Sequence, residues 1–364
     1  MKDTFRHQVV EELKASLHNA FTDQRKGPAP GLKDRLKTAV AGKLLAKMIT
    51  KDAAAYFMER SIHTLAVYND RLETLYGMLA DDESKHLMVK LMAYRIMGRD
   101  KVRLPLYGDH YKKMVERSKD CFDRSDAVEV NYPGGARKIY RTRVHKAGFP
   151  IEGYFSGVVA QFFVEQYNYH DKIKAEAGDV VLDCGACFGD SSLYFAHLVG
   201  DHGKVVAFEF IPNNIEVFQR NLNMNPTLEP TIDLCPNPLW NEAGKAMYYK
   251  DRGPASQVQF EKFEGHDGQT ETTTIDRVVA DKQLPKVDFI KMDIEGAEPY
   301  ALQGAEQTIR THRPKLAIAT YHSMDDFVNI PIWINNLQLG YRFYMKHATT
   351  HLEETVIFAV PESR

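Results

Sequence analysis

Three groups of residues in this chain could do chemistry. The first is the turn Asp183-Cys-Gly-Ala-Cys-Phe-Gly189, followed by Asp190. Gly185 and Gly189 allow a sharp turn and a close approach of ligand to backbone. The second is Glu209, at the end of the apolar run Val205 to Phe208. An acid so placed after a strand, glycine turn and helix accepts hydrogen bonds from two ribose hydroxyls. The third is Asp293-Ile-Glu-Gly-Ala-Glu298, joined further on by Tyr321-His322-Ser323. Acids crowded at a strand end repel one another, so a site explains them better than packing does.

The glycines decide which nucleoside is expected. A dinucleotide turn reads G-x-G-x-x-G and seats a pyrophosphate on a helix N-terminus. Here Cys187 stands in place of the second glycine, and Asp183 and Asp190 add negative charge. That disfavours an anion and favours a cation. S-adenosylmethionine is an adenosine carrying a sulfonium and an ammonium, and the turn closely resembles motif I of class I methyltransferases. The candidate cofactor residues are Asp183, Gly185, Ala186, Gly189, Asp190, Glu209, Phe210 and Asp293. That resemblance adds Trp240 and Asn241, because the loop after the third strand meets the adenine in such enzymes. An ordinary Rossmann-like crossover, with glycines present for packing, is the alternative.

An aliphatic hydroxyl needs a base to attack a sulfonium at neutral pH. The candidates are His322, Asp293 and His347. Imidazole titrates near neutrality, which favours His322. His347 and His351 fall in a hairpin loop, where exposure is expected. A divalent metal is the rival device: Asp293 and His322, with Glu295 or Glu298, could hold an ion that acidifies the acceptor. Carboxylates alone suit magnesium; an added imidazole shifts preference toward manganese, iron or zinc.

These residues must be positioned by a sheet. Val180 to Leu182, Val205 to Phe208, Ile232 to Cys235, Phe289 to Met292 and Leu316 to Thr320 read as buried strands. Helices follow them, the one after the turn capped by Asp190 or Ser191. Gly253 to Gly268 reads as loop, and Thr272 to Ile275 as an extra edge strand. Tyr154 or Phe155 could wall the pocket. Tyr341 to Met345 and Thr355 to Val360 form a final hairpin. Five βα units closed by a hairpin predict an α/β class I methyltransferase Rossmann-like sheet of seven strands, the last antiparallel. Six parallel strands would mark a nicotinamide-binding fold. Before the sheet, Phe5 to Leu17, Ile62 to Leu79 and Ser84 to Ile96 recur at helical spacing. Leu32 to Met48 is a basic amphipathic helix, read first as a solvated face and otherwise as a contact for an anionic membrane surface or an acidic partner.

The segments DVVLDCGACFGDSSLYFA, VVAFEFIPNN, VDFIKMDIEGAE and ETVIFAV together resemble the FkbM-type methyltransferase family. The resemblance covers residues 150–361, and more loosely from residue 75. It implies S-adenosylmethionine-dependent O-methyl transfer to a hydroxyl of a sugar, polyketide or other secondary metabolite. The expected organisation is a helical N-terminal region at 1–125, a connecting segment or lid at 126–150 and a methyltransferase domain at 151–364. Two other classes remain open: a non-catalytic docking module of a biosynthetic assembly, and an NAD-dependent oxidoreductase. A net charge of -2 over 364 residues argues against nucleic acid as a partner. No span of about 20 apolar residues is present to cross a bilayer. The chain lacks a secretory h-region, so the cytoplasm is the expected location. The N-terminal helices could serve self-association. The four cysteines, including Cys184 and Cys187, suggest neither a disulfide framework nor a zinc site.

Overall fold

The computed structural model describes residues 5–16, 19, 63, 66–106, 109–119, 121–133, 135–144, 148–254 and 256–362. The basic stretch 32–48 lies outside them. The chain divides into two compact units, one of residues 1–105 and 350–352, the other of residues 106–349 and 353–364.

The first unit is helical where it is described: α1 (Phe5–Ser16), α2 (66–78) and α3 (Asp82–Met97). The backbone N–H groups of Phe5 and Arg6, at the start of α1, donate to the Glu73 carboxylate of α2. Asp81 caps α3 by accepting from the Ser84 N–H, the bond expected of an N-terminal aspartate. Among the described residues, no helix is long and apolar enough to cross a membrane.

The second unit begins with α4 (Asp109–Lys119) and an antiparallel sheet of β1 (Phe122–Tyr132), β2 (Gly135–Val144) and β3 (Phe149–Gly153). The expected connecting segment, 126–150, falls within this sheet. Val130, Tyr132 and Ile139 pack from it onto Phe188 and Val217. Then come α5 (Phe155–Val158) and a π-helical turn, Val159–Phe163. The apolar run from Val158 to Val164 is therefore helical.

The main sheet holds β4 (Val180–Cys184), β5 (Lys204–Phe208), β6 (Ile232–Cys235), β10 (Phe289–Met292), β11 (Lys315–Ala319), β12 (Tyr341–His347) and β13 (Thr355–Pro361). Its order is β12-β13-β11-β10-β4-β5-β6. The pairs β10–β11, β10–β4, β4–β5 and β5–β6 are parallel. β13 runs antiparallel between β11 and β12. This is the seven-stranded order expected from the sequence, and it is not a six-stranded parallel sheet. β4, β10 and β11 are buried at every residue, which is why they read as apolar runs rather than alternations.

The remaining helices are α6 (Asp190–Val199), α7 (Pro212–Asn223), α8 (Ile275–Asp281), α9 (Glu298–Gln303), α10 (Glu306–His312) and α11 (Met324–Asn336). Between β6 and β10 the chain builds a small antiparallel sheet of β7 (Ala246–Lys250), β8 (Gln257–Gln259) and β9 (Gly268–Glu271). The stretch read as loop thus contains β8. Thr272 to Ile275 is not a strand: Thr274 caps α8 through its side chain, and Ile275 opens that helix. A β-branched run looked like a strand because threonine serves equally well as a helix cap.

Candidate functional site

Register brings the strand ends level. Cys184 pairs with Phe208 and with Met292, Phe208 with Cys235, and Met292 with Ile318. The residues just beyond therefore converge on the carboxyl edge of the sheet, where ligands bind in open α/β folds.

The glycine turn leaves β4 and is tied to β5: the N–H groups of Gly185 and Ala186 both donate to the Phe208 carbonyl, at 3.1 and 2.9 Å. Gly185 has φ +91, and a Cβ there would lie 1.8 Å from the Asp293 carbonyl oxygen. Gly189 has φ +79, and a Cβ would enter the Phe218 ring. Both glycines are thus required by backbone and neighbour alike. Gly189 is also the N-cap of α6, without a side-chain cap bond. The expected cap by Asp190 or Ser191 is not made, because the Ser191 and Ser192 hydroxyls donate to Asp183 at 2.7 and 2.6 Å.

Asp183 is completely buried, and its other oxygen lies 3.0 Å from Lys291 Nζ, which is 2% exposed. That ammonium also donates to the Gly185 carbonyl at 2.6 Å and lies 5.2 Å from the centre of the Tyr167 ring. Burial pulls the Lys291 pKa down, but Asp183 and then Asp293 outweigh it and hold it above the ordinary value. Burial pushes Asp190 up to about 6, with Lys291 drawing it back. The turn therefore contains an internal cation that a count of its acids misses.

Glu209 is 8% exposed. Its Oε1 accepts from the N–H groups of Phe210 and Ile211, both at 2.8 Å, and its Oε2 from the Asn214 amide at 3.2 Å. Burial pushes its carboxyl up to about 7 against those donors. Phe210 turns its ring edge-on to Tyr249. Trp240 stacks on Tyr300 at 4.0 Å and 18°, with Phe260 against it at 4.8 Å. Asn241 donates to Gln303 at 3.1 Å. The partners of Trp240 and Asn241 thus include Tyr300 and Gln303 of α9.

At the end of β10, Asp293 accepts hydrogen bonds from Tyr167 at 2.9 Å and Tyr321 at 3.0 Å. Burial first, and Asp293 second, push both phenols well above the usual tyrosine range, so they remain donors. His322 Nε2 lies 3.6 Å from Asp293 Oδ1 and 3.7 Å from Glu295 Oε2, while Nδ1 lies 3.4 Å from Glu298 Oε1. Burial lowers the imidazole pKa, but Glu298, Asp293 and Glu295 together raise it to about 9. Glu295 is pushed up to about 7 by burial and then by Asp293. Glu354, which accepts from the Gln166 amide, is pushed up to about 8 for the same reasons. His347 has other partners. It is 4% exposed rather than in an open loop, and its ring nitrogens meet the Thr355 and Thr349 hydroxyls.

So Asp293, His322, Glu295 and Glu298 come together, and Asp183, Gly185, Ala186, Gly189, Asp190 and Glu209 line one edge beside them. Reading the sequence missed Lys291, Tyr167 and Glu354, and it placed Tyr321 beside His322 without giving it a role. A lysine inside the apolar strand F-I-K-M was a usable signal, since a lysine is almost never fully buried unless paired. Tyr167 lies 126 residues from Asp293, and no local pattern links them.

Residues 183–343 match the family model of the methyltransferase FkbM domain. No curated protein matches the chain. Among solved structures, a methyltransferase FkbM from Methylobacillus flagellatus KT superposes with a TM-score of 0.51 at 18% identity, covering 81% of this chain. The chain spans 59% of the length of that structure. Fibrillarin from Aeropyrum pernix, solved with natively bound S-adenosyl-L-methionine, gives 0.36 at 12% identity over 65% of this chain and 94% of its own. A precorrin-6y C5,15-methyltransferase from Geobacter metallireducens GS-15 gives 0.34 at 12% identity over 56% and 88%. The fold is that of the class I methyltransferases.

Proposed function

We propose that this chain, whose residues 183–343 match the family model of the methyltransferase FkbM domain, moves a methyl group from S-adenosylmethionine to a hydroxyl of a small molecule. The observation that carries this reading is the pairing of two neighbouring strand ends. One is the glycine turn with Glu209, suited to adenosine. The other is Asp293 with His322, where a hydroxyl could lose its proton.

The adenosine ribose would hydrogen-bond to Glu209, and the cationic methionine end would lie along the glycine turn near Asp190, since Asp183 is buried and neutralised by Lys291. S-adenosylmethionine supplies the methyl group, already activated by its positive charge. The protein's part is to align acceptor and sulfonium and to exclude water. Asp293 is held in one orientation by two tyrosine hydroxyls, which suits a group that must meet the acceptor at a fixed angle. The sheet β1–β3 packs through Tyr132 onto Phe188 of the turn, a fitting position for a cover over the cofactor. The acceptor is a hydroxylated small molecule, such as a sugar or polyketide.

Calorimetric titration with S-adenosylhomocysteine tests the cofactor half. Micromolar binding is expected, and Glu209→Ala should weaken it at least tenfold; unchanged binding in the variant would sink the assignment. The pH dependence is a second check. Ribose hydroxyls donate to the ionised carboxylate, whereas free Glu209 holds its proton up to about 7. Ligand must therefore displace a proton below that value, and affinity should fall about tenfold between pH 8 and pH 6. A flat profile would show that Glu209 does not bind the ligand. Without ligand the same shift acts on stability in the opposite sense. Its contribution is full below the ordinary carboxylate pKa and is lost as pH rises through about 7.

A further inference from the structure

We propose that Asp293, Glu298 and His322 form a binding site for a divalent cation. The three offer one ligand atom each, all within 4.8 Å of one another. Proximity alone would not carry the inference; unmet valence does. Glu298 is 0% exposed. Its Oε1 accepts the Ile294 N–H at 2.7 Å, while its Oε2 is buried without a hydrogen-bond partner. A buried carboxylate oxygen left so is costly, and native structures seldom tolerate it without a reason. Both ring nitrogens of His322 are buried and unbonded as well. The nearest carboxylates stand 3.4–3.7 Å away, beyond good hydrogen-bond length.

A bare ion pair accounts for the charges but leaves these atoms unsatisfied. A cation among them would satisfy one ring nitrogen of His322 and one oxygen from each carboxylate, leaving the second ring nitrogen to face a neighbouring carboxylate. Carboxylate oxygens and imidazole nitrogens bind a zinc-sized ion at about 2.1 Å, so donors at tetrahedral angles lie about 3.4 Å apart. From a spread of up to 4.8 Å the side chains must close by as much as about 1.4 Å, within reach of rotation about their own bonds. Tyr167 and Tyr321 already orient the Asp293 carboxylate, as outer partners of a metal ligand do. The donor set of two carboxylates and one imidazole suits manganese, iron or zinc better than calcium or magnesium. Of the two glutamates that the sequence left open, the buried Glu298 completes the set, while Glu295, with a side chain 47% exposed, stands at its rim. The inference rests on the proposed methyl transfer only for its consequence: an acceptor hydroxyl bound to the ion becomes more acidic and loses its proton to solvent. His322 is then a ligand rather than the base.

The test uses the full chain, stripped by chelator and titrated with Mn2+ by electron paramagnetic resonance. One site per chain is expected. Glu298→Gln and His322→Gln should each weaken it at least tenfold, provided that their thermal transitions and S-adenosylhomocysteine binding match wild type. Absence of Mn2+ binding to the stripped wild-type chain would overturn the proposal whatever the variants do, and so would undiminished binding in both variants. The same stripped protein is titrated with S-adenosylhomocysteine in parallel. Homocysteine-nucleoside binding without Mn2+ binding refutes the cation alone; the reverse refutes the cofactor reading alone.

Discussion

Replacing Lys291 with methionine is expected to destabilise the protein by about 3–5 kcal/mol and to abolish cofactor binding. The expected loss comes from what remains behind. Asp183 is fully buried, and Lys291 lies 3.0 Å from it as its counter-ion. Removing one partner of a buried pair strands the other charge in a low-dielectric interior. The ammonium also donates to the Cys184 and Gly185 carbonyls at 3.3 and 2.6 Å, so the turn loses its internal tie at the same time. Adding Asp183→Asn to Lys291→Met should recover part of the stability, since the stranded charge is gone, but not the binding. Urea unfolding of the three variants measures this. A loss under about 1 kcal/mol for the single change would mean that the pair is open to water.

Gly185→Ala should be comparably severe, for a steric reason. The residue needs φ +91, which an L side chain resists, and the added Cβ would lie 1.8 Å from the backbone of Asp293. Neither the turn nor the end of β10 can yield without disturbing Asp293. A loss of more than about 4 kcal/mol, or failure to fold, is expected. Gly178→Ala is the control: it has φ +81 but nothing within 4 Å of the new Cβ. It should cost only about 1–2 kcal/mol, the price of a left-handed backbone at one residue. Equal losses at both positions would show that the close approach to Asp293 does not matter.

The parts of this molecule that follow from local pattern were legible in the chain. β6 and β10 fall on the residues read as strands, Ile232–Cys235 and Phe289–Met292; β10 is buried at every residue, whereas β6 is buried only at Cys235. The antiparallel β13 followed from a terminal hairpin after five βα units. What could not be read depends on distance through space. Tyr167 meets Asp293 from a π-helical approach that no sequence rule marks, and Glu354 reaches Gln166 across 188 residues. His347 looked exposed by its place beside a hairpin loop. Its pairing opposite Thr355 buries it instead, with Thr355 and Thr349 at its two ring nitrogens. Asp190 or Ser191 looked like the cap of α6; the buried Asp183 instead takes the hydroxyls of Ser191 and Ser192.

The place of β13 has a consequence for biosynthesis. β12 touches the sheet only through β13, which lies between it and β11. A nascent chain can assemble β4, β5, β6, β10 and β11 as their residues leave the ribosome. β12 then waits outside, and β11 keeps a bare edge, until residues 355–361 have emerged. The sheet therefore closes late, as a zip drawn from both sides at once. During that interval the exposed edge of β11, Lys-Leu-Ala-Ile-Ala, is open to pairing with another unfinished chain. Slow translation ahead of β13 would lengthen this exposure, and chaperone demand should concentrate there.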